Sequence, residues 1–133
     1  MNEVTSIKPW GISRRLLSAS HVQVERIEFI KGGFTSIHEH HGKYNLFYVL
    51  RGILSIRTFS VRSMRRGEPF FLGEIILGPG SAPFIIAPRM VHQFIALDDG
   101  EGLEVYVASE ASLDLPGDIF RYTENGNAMS NVP

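Results

Sequence analysis

Short runs in which apolar and polar residues alternate, separated by glycine- and proline-containing breaks, make up most of this chain. From His21 to Ile30 the β-branched residues Val22, Val24, Ile27 and Ile30 favour a strand, although the apolar parity slips between Val24 and Ile27. A β-bulge at that point would reconcile the two halves. If the even-numbered face is the inner one, Arg26 points inward and must find an acid or a ligand there; otherwise it sits at a strand end in solvent. Leu46-Phe47-Tyr48-Val49-Leu50 is apolar on both parities, the pattern of a strand covered on both faces, one filling a barrel and the other meeting a second subunit. Gly52 turns the chain, and Ile53–Val61 and Phe70–Leu77 read as further strands, joined by a tip carrying Arg62, Arg65, Arg66, Gly67 and Pro69. After Gly78-Pro79-Gly80 comes a short strand, Phe84–Ile86, then a proline turn at Ala87-Pro88 leading to His92. Past the Asp98–Gly102 hairpin loop, Leu103, Val105 and Val107 alternate with Glu104 and Tyr106. No repeat and no amphipathic helix interrupts the series. Short strands punctuated by turns predict an all-β barrel or sandwich of jelly-roll type, built from two packed antiparallel sheets.

At 133 residues the chain reads as one domain, residues 1–133, with an N-terminal arm over 1–13 and a C-terminal tail over 112–133. Lys8-Pro9-Trp10-Gly11 punctuates the arm, and Trp10 is expected to pack onto the domain. A net charge of −1 offers no electrostatic case for nucleic acid. No apolar run approaches the roughly 20 residues that span a bilayer, and the first residues lack the apolar segment of a signal peptide, so a cytoplasmic protein is the expectation. The absence of cysteine excludes disulfides and thiolate metal sites, which leaves His, Asn, Asp and Glu as the available ligands.

Those ligand types cluster. His38 and His40 are two apart, so in an extended chain both imidazoles point the same way and Glu39 points away. The reversal at His41-Gly42-Lys43-Tyr44 lets Asn45 fold its carboxamide back toward the same point, and His92 arrives from far downstream. A His-x-His pair alone is more often a polar surface feature, but the spacing of all four groups favours one divalent transition metal. Imidazole suits zinc, iron, nickel and copper alike. His41 has the opposite parity to His40, and His21 has no identifiable partner. Three neutral imidazoles and a neutral carboxamide leave an ion its full +2 charge, so the open position should favour an anionic ligand.

The spacing Gly32, His38, His40, Asn45 and Gly52 resembles the first signature of the cupin superfamily, with Asn45 where that family usually has glutamate. Gly80 through His92 resembles the second signature, with Ala87 in place of its proline and Arg89 in place of its internal glycine. The resemblance implies a double-stranded β-helix, the cupin jelly-roll barrel. A narrower similarity, carried by Lys8-Pro9-Trp10-Gly11, Arg26-Ile27, Ser36-Ile37-His38 and Gly117-Asp118-Ile119-Phe120-Arg121-Tyr122, is to the cupin domain of type II mannose-6-phosphate isomerases. It implies a metal held by His38, His40, Asn45 and His92, zinc first, with iron, manganese and nickel as alternatives. It also implies a small anionic, sugar-derived ligand, with Arg121 matching an arginine of that family's C-terminal motif; Arg26, if it faces the cavity, is a second candidate to grip the ligand, and the two-sided apolar run Leu46–Leu50 adds the expectation of a homodimer. The ligand set departs from the isomerases at His38 (their glutamine) and Asn45 (their glutamate), and Asn125-Gly126-Asn127 stands where they tend to have Tyr-Gly-Arg. Another metallo-cupin enzyme, such as an Fe(II) dioxygenase or a lyase, and a non-catalytic binding cupin are the alternatives. No residue identifies itself as the general base.

Overall fold

The computed structural model describes residues 4–61, 70–109 and 118–129. The elements there are strands: β1 (Thr5–Lys8), β2 (Gly11–Ala19), β3 (Val22–Phe29), β4 (His38–Glu39), β5 (Lys43–Arg51), β6 (Leu54–Phe59), β7 (Phe71–Leu77), β8 (Phe84–Ile86), β9 (Val91–Ala96), β10 (Gly100–Ala108) and β11 (Phe120–Arg121). They form two packed antiparallel sheets, in the orders β1-β2-β3-β10-β5-β8 and β11-β4-β9-β6-β7. Strands distant in sequence, β3 with β10 and β4 with β9, are neighbours, as the expected jelly-roll barrel requires. The arginine tip around residues 62–69 lies outside the described residues. The described parts of the arm (4–13) and tail (118–129) hold more regular structure than their composition predicts. Pro9 and Trp10 turn a β1–β2 hairpin onto β3, and the tail contributes β11 against β4.

Gly32 and Gly52, which bracket the histidine-rich stretch, both adopt φ near +84° (84° and 83°), a conformation that glycine alone takes at little cost. At Gly52 a Cβ would also lie 2.3 Å from the Asp99 carbonyl oxygen. Gly52 ends β5, while Gly32 turns the chain after β3, its N–H donating to the Ala96 carbonyl at 2.9 Å.

The barrel interior is divided into two tiers. At one end Trp10, Ile27, Phe29, Phe47, Val49 and Phe94 pack into an apolar core. Phe94 meets the edges of Trp10 (4.9 Å) and Phe47 (5.8 Å), and a buried ring so placed contributes about 3–5 kcal/mol relative to alanine. At the other end β3, β10 and β5 present polar side chains inward: Gln23 and Glu25 from β3, Glu104 and Tyr106 from β10, Lys43 and Asn45 from β5. The parity slip in β3 is this change of tier and not a bulge. Odd residues from Gln23 to Phe29 face inward throughout, and the irregularity lies in β2, between Arg15 and Leu17.

Because the inner face turns polar, the apolar alternates face outward. Val24, Val105, Leu46 and Ile85 form a row across β3, β10, β5 and β8, with Leu103 and Tyr48 paired beside it. β-branched and aromatic cross-strand pairs of this kind stabilise a sheet by a few tenths of a kcal/mol each, and a second sheet covering them would add apolar burial at about 25 cal/mol per Å². The face predicts a homodimer. Light scattering at micromolar concentration should give twice the 14.9 kDa of one chain, and Val105→Glu should halve that mass; a wild-type monomer would contradict the prediction.

Candidate metal centre

His38 belongs to β4, His40 follows it, and His92 stands directly opposite His38 in the β4–β9 register. The turn before β9 is held by Arg89, whose N–H donates to the His40 carbonyl at 2.6 Å. Arg89 sits at φ 68°, the left-handed region, in the place where the second signature carries glycine. A non-glycine residue there stores on the order of 1 kcal/mol. The turn therefore keeps the geometry of a glycine without having one.

The three imidazoles converge. Ring centroids lie 4.9 Å apart for His38–His40, 4.3 Å for His38–His92 and 5.3 Å for His40–His92, and one nitrogen from each lies within 4.8 Å of the others. Each Nδ1 meets a backbone carbonyl: Ser36 at 2.7 Å for His38, Asp118 at 2.9 Å for His40 and Met90 at 2.9 Å for His92. A carbonyl only accepts, so each Nδ1 carries the proton and each Nε2 keeps its lone pair. The buried Nε2 atoms of His40 and His92 have no protein partner. Burial first, and the neighbouring imidazoles second, lower the pKa of His38 far below its ordinary value and that of His40 to about 3; burial lowers His92 to about 4. Three neutral imidazoles with inward lone pairs and outward N–H groups on fixed acceptors are the donor set a divalent transition metal needs.

Asn45 also faces inward and is fully buried. Its Nδ2 donates to Glu104 Oε2 at 3.1 Å, and its Oδ1 has no partner. Tyr106 stands opposite Asn45 across β5–β10, its ring 5.8 Å from that of His40, and the Lys43 ammonium lies 4.3 Å from the same ring. Burial raises the Glu104 pKa to about 7, so this carboxyl can hold or release a proton near neutrality.

A cavity of about 140 Å³ opens from His38 and His40. Gln23, Glu25, Glu104 and Tyr106 form one wall, while Lys8 and Arg121 bring positive charge to it. Arg121 donates to the Ser36 hydroxyl at 3.0 Å, and that hydroxyl lies 3.1 Å from His38 Nδ1, so the arginine expected at the ligand end does sit beside the histidines. Arg26 does not. Its side chain is on the outer face of β3, paired with Glu101, because the inner face is the odd-numbered one. His41 is exposed, 3.0 Å from Glu39 Oε1 and stacked on Phe120. Lys8, Gln23, Glu25, Ser36, Glu104 and Tyr106 are site residues that sequence reasoning missed. The signal for Glu104 and Tyr106 was present, as the polar half of the β10 alternation.

No protein-family model matches the chain, and no curated protein matches it in sequence. Solved structures match it in fold. CapF, the capsular polysaccharide assembling protein from Staphylococcus aureus, superposes with a TM-score of 0.69 at 17% identity, over 92% of this chain and 32% of that one. KdgF from Halomonas sp. gives 0.64 at 14%, over 83% and 88%, and oxalate decarboxylase from Bacillus subtilis 0.68 at 15%, over 90% and 30%. The chain thus spans about a third of CapF and of oxalate decarboxylase and most of KdgF. At these identities the likeness is one of fold, and the fold is the cupin barrel.

The lowered imidazole pKa values have a consequence for the metal-free protein. An unfolded histidine takes up its proton near pH 6.5, whereas folded His92 resists it to about 4, His40 to about 3 and His38 to well below its ordinary value, so their contribution to stability is complete above 6.5 and is lost as the pH falls. Glu104, raised above its unfolded value, acts in the opposite sense between about 4.5 and 7. Three groups outweigh one, leaving a net loss of at most about 3 kcal/mol per pH unit from these four. The melting temperature of chelator-treated protein should fall between pH 6.5 and 5; a flat or rising profile would contradict the assignment.

Proposed function

We propose that this chain is a metal-dependent cupin acting on a small sugar-derived acid, with a sugar phosphate of the kind handled by mannose-6-phosphate isomerases as the leading substrate class. The observation that carries this reading is the triad of neutral imidazoles, two of which, His38 and His40, line a cavity that Arg121 and Lys8 join. His38, His40 and His92, with Asn45 as fourth donor, would hold the ion, which when bound polarises a substrate oxygen. The cavity residues account for the rest. Gln23, Glu25 and Tyr106 offer donors and acceptors suited to hydroxyl groups, while the carboxyls of Glu25 and Glu104 make that wall unfavourable for a phosphate. The anionic group is therefore assigned to Arg121, whose guanidinium can bind it with two parallel hydrogen bonds.

One observation favours a second reading. A cavity of about 140 Å³ is smaller than the roughly 300–1,000 Å³ of sites that enclose drug-sized ligands, so a smaller carboxylic acid fits it whole while a hexose phosphate extends beyond it. Of the proteins with this fold, the oxalate decarboxylase of Bacillus subtilis has Mn(II) centres and takes such an acid. The two readings separate on protein purified without a histidine tag and reloaded with zinc, manganese or iron(II). Exchange between aldose and ketose phosphates, weakened by Arg121→Gln for phosphorylated sugars but not for neutral ones, is the expected result. Oxygen uptake or carbon dioxide release from a small acid would replace it with the second reading, and no binding or turnover with any of these metals would contradict both.

A further inference from the structure

The usual cupin glutamate is absent at position 45, but a carboxylate stands one strand away. Glu104 on β10 lies diagonally across from Asn45 on β5, whose direct register partner is Tyr106. Both side chains are buried, and the Asn45 carboxamide donates from Nδ2 to Glu104 Oε2 at 3.1 Å. This bond decides which end of the amide is available. A primary amide has one accepting and one donating end, and a carboxylate satisfies only the donating one. With Nδ2 committed to Glu104, Oδ1 is left as the buried acceptor without a partner, and an oxygen, not an NH₂ group, is what a cation requires. Tyr106, directly opposite in the β5–β10 register, also bonds the Asn45 side chain. An amide free to rotate about its last bond would present the wrong end in half of its orientations.

We infer that Glu104 is a positioning residue for the metal centre: by accepting from Asn45 Nδ2 it turns the carboxamide so that Oδ1 serves as the fourth ligand beside His38, His40 and His92. The inference rests on the metal-centre reading given above and adds to it the cause of the amide's orientation. Partners that stand behind a ligand in this way commonly tune metal affinity by roughly 10–100-fold.

A double-mutant cycle on zinc affinity, read by calorimetry on intact protein, tests this without reference to any substrate. Glu104→Leu removes the acceptor, Asn45→Ala removes the amide, and the double variant removes both. If Glu104 acts through Asn45, each single variant loses roughly 10–100-fold in affinity and the double variant loses no more than either. Glu104→Gln, which keeps an acceptor oxygen, should lose less than Glu104→Leu, and it replaces the leucine variant in the cycle if that variant fails to fold, as judged by near-ultraviolet circular dichroism. Losses that add in the double variant, or unchanged affinity in a folded Glu104 variant, would overturn the positioning role and leave the three-histidine site standing. Failure of the wild-type protein to bind zinc, manganese or iron(II) would overturn both.

Discussion

Three imidazoles are buried against one another with their lone pairs converging, and the rest of this barrel is arranged around that fact. A buried polar atom left without a partner costs about 1–3 kcal/mol, and two of the three inward nitrogens have none in the protein. The fold supports them only from behind. The carbonyls of Ser36, Asp118 and Met90 take the outward N–H groups, which explains why the chain enters β4 through Ser36, why the C-terminal segment returns to β4, and why β9 starts from a tight turn. The turn itself is strained at Arg89, and its N–H is spent on the His40 carbonyl. Three remote pieces of chain are thus fixed by one requirement.

The polar tier that surrounds the histidines has to be isolated from the apolar tier below it, and strands β3, β5 and β10 do this within single strands. Ile27 and Phe29, Phe47 and Val49 fill the lower part; Gln23 and Glu25, Lys43 and Asn45 fill the upper. The β10 glycines explain how the layers fit, since a Cβ on Gly100 would lie 2.7 Å from the Phe29 ring. Large side chains on β3 occupy the room that β10 leaves. Where β10 leaves the apolar tier, it supplies Glu104 and Tyr106 to the cavity.

How much of this could be read in the sequence follows from the same division. The strand series, the turn at Gly52 and the convergence of His38, His40 and His92 were legible, because turn residues and period-2 spacing are local signals. Which face of β3 and β10 points inward was not. Parity arguments assume that apolar residues face the interior, and here Val24, Leu103 and Val105 face outward while Glu25, Glu104 and Tyr106 line the cavity. That inversion misplaced Arg26 and concealed Glu104. The ordered arm and tail were missed for a different reason: Pro9, Gly11 and Gly126 read as breaks, yet each sits where the backbone passes close to a strand or a ring.

The account stands or falls on whether the histidine triad holds an ion. Metal content measured by mass spectrometry on untagged wild-type protein, on His40→Ala and on His21→Ala tests it most directly. His21 is exposed, 3.2 Å from the Ala108 carbonyl and outside the triad, so it controls for casual binding by a surface imidazole. The wild-type and His21→Ala proteins should each carry one divalent metal per chain and His40→Ala almost none; equal metal content in the two variants, at any level, would contradict it.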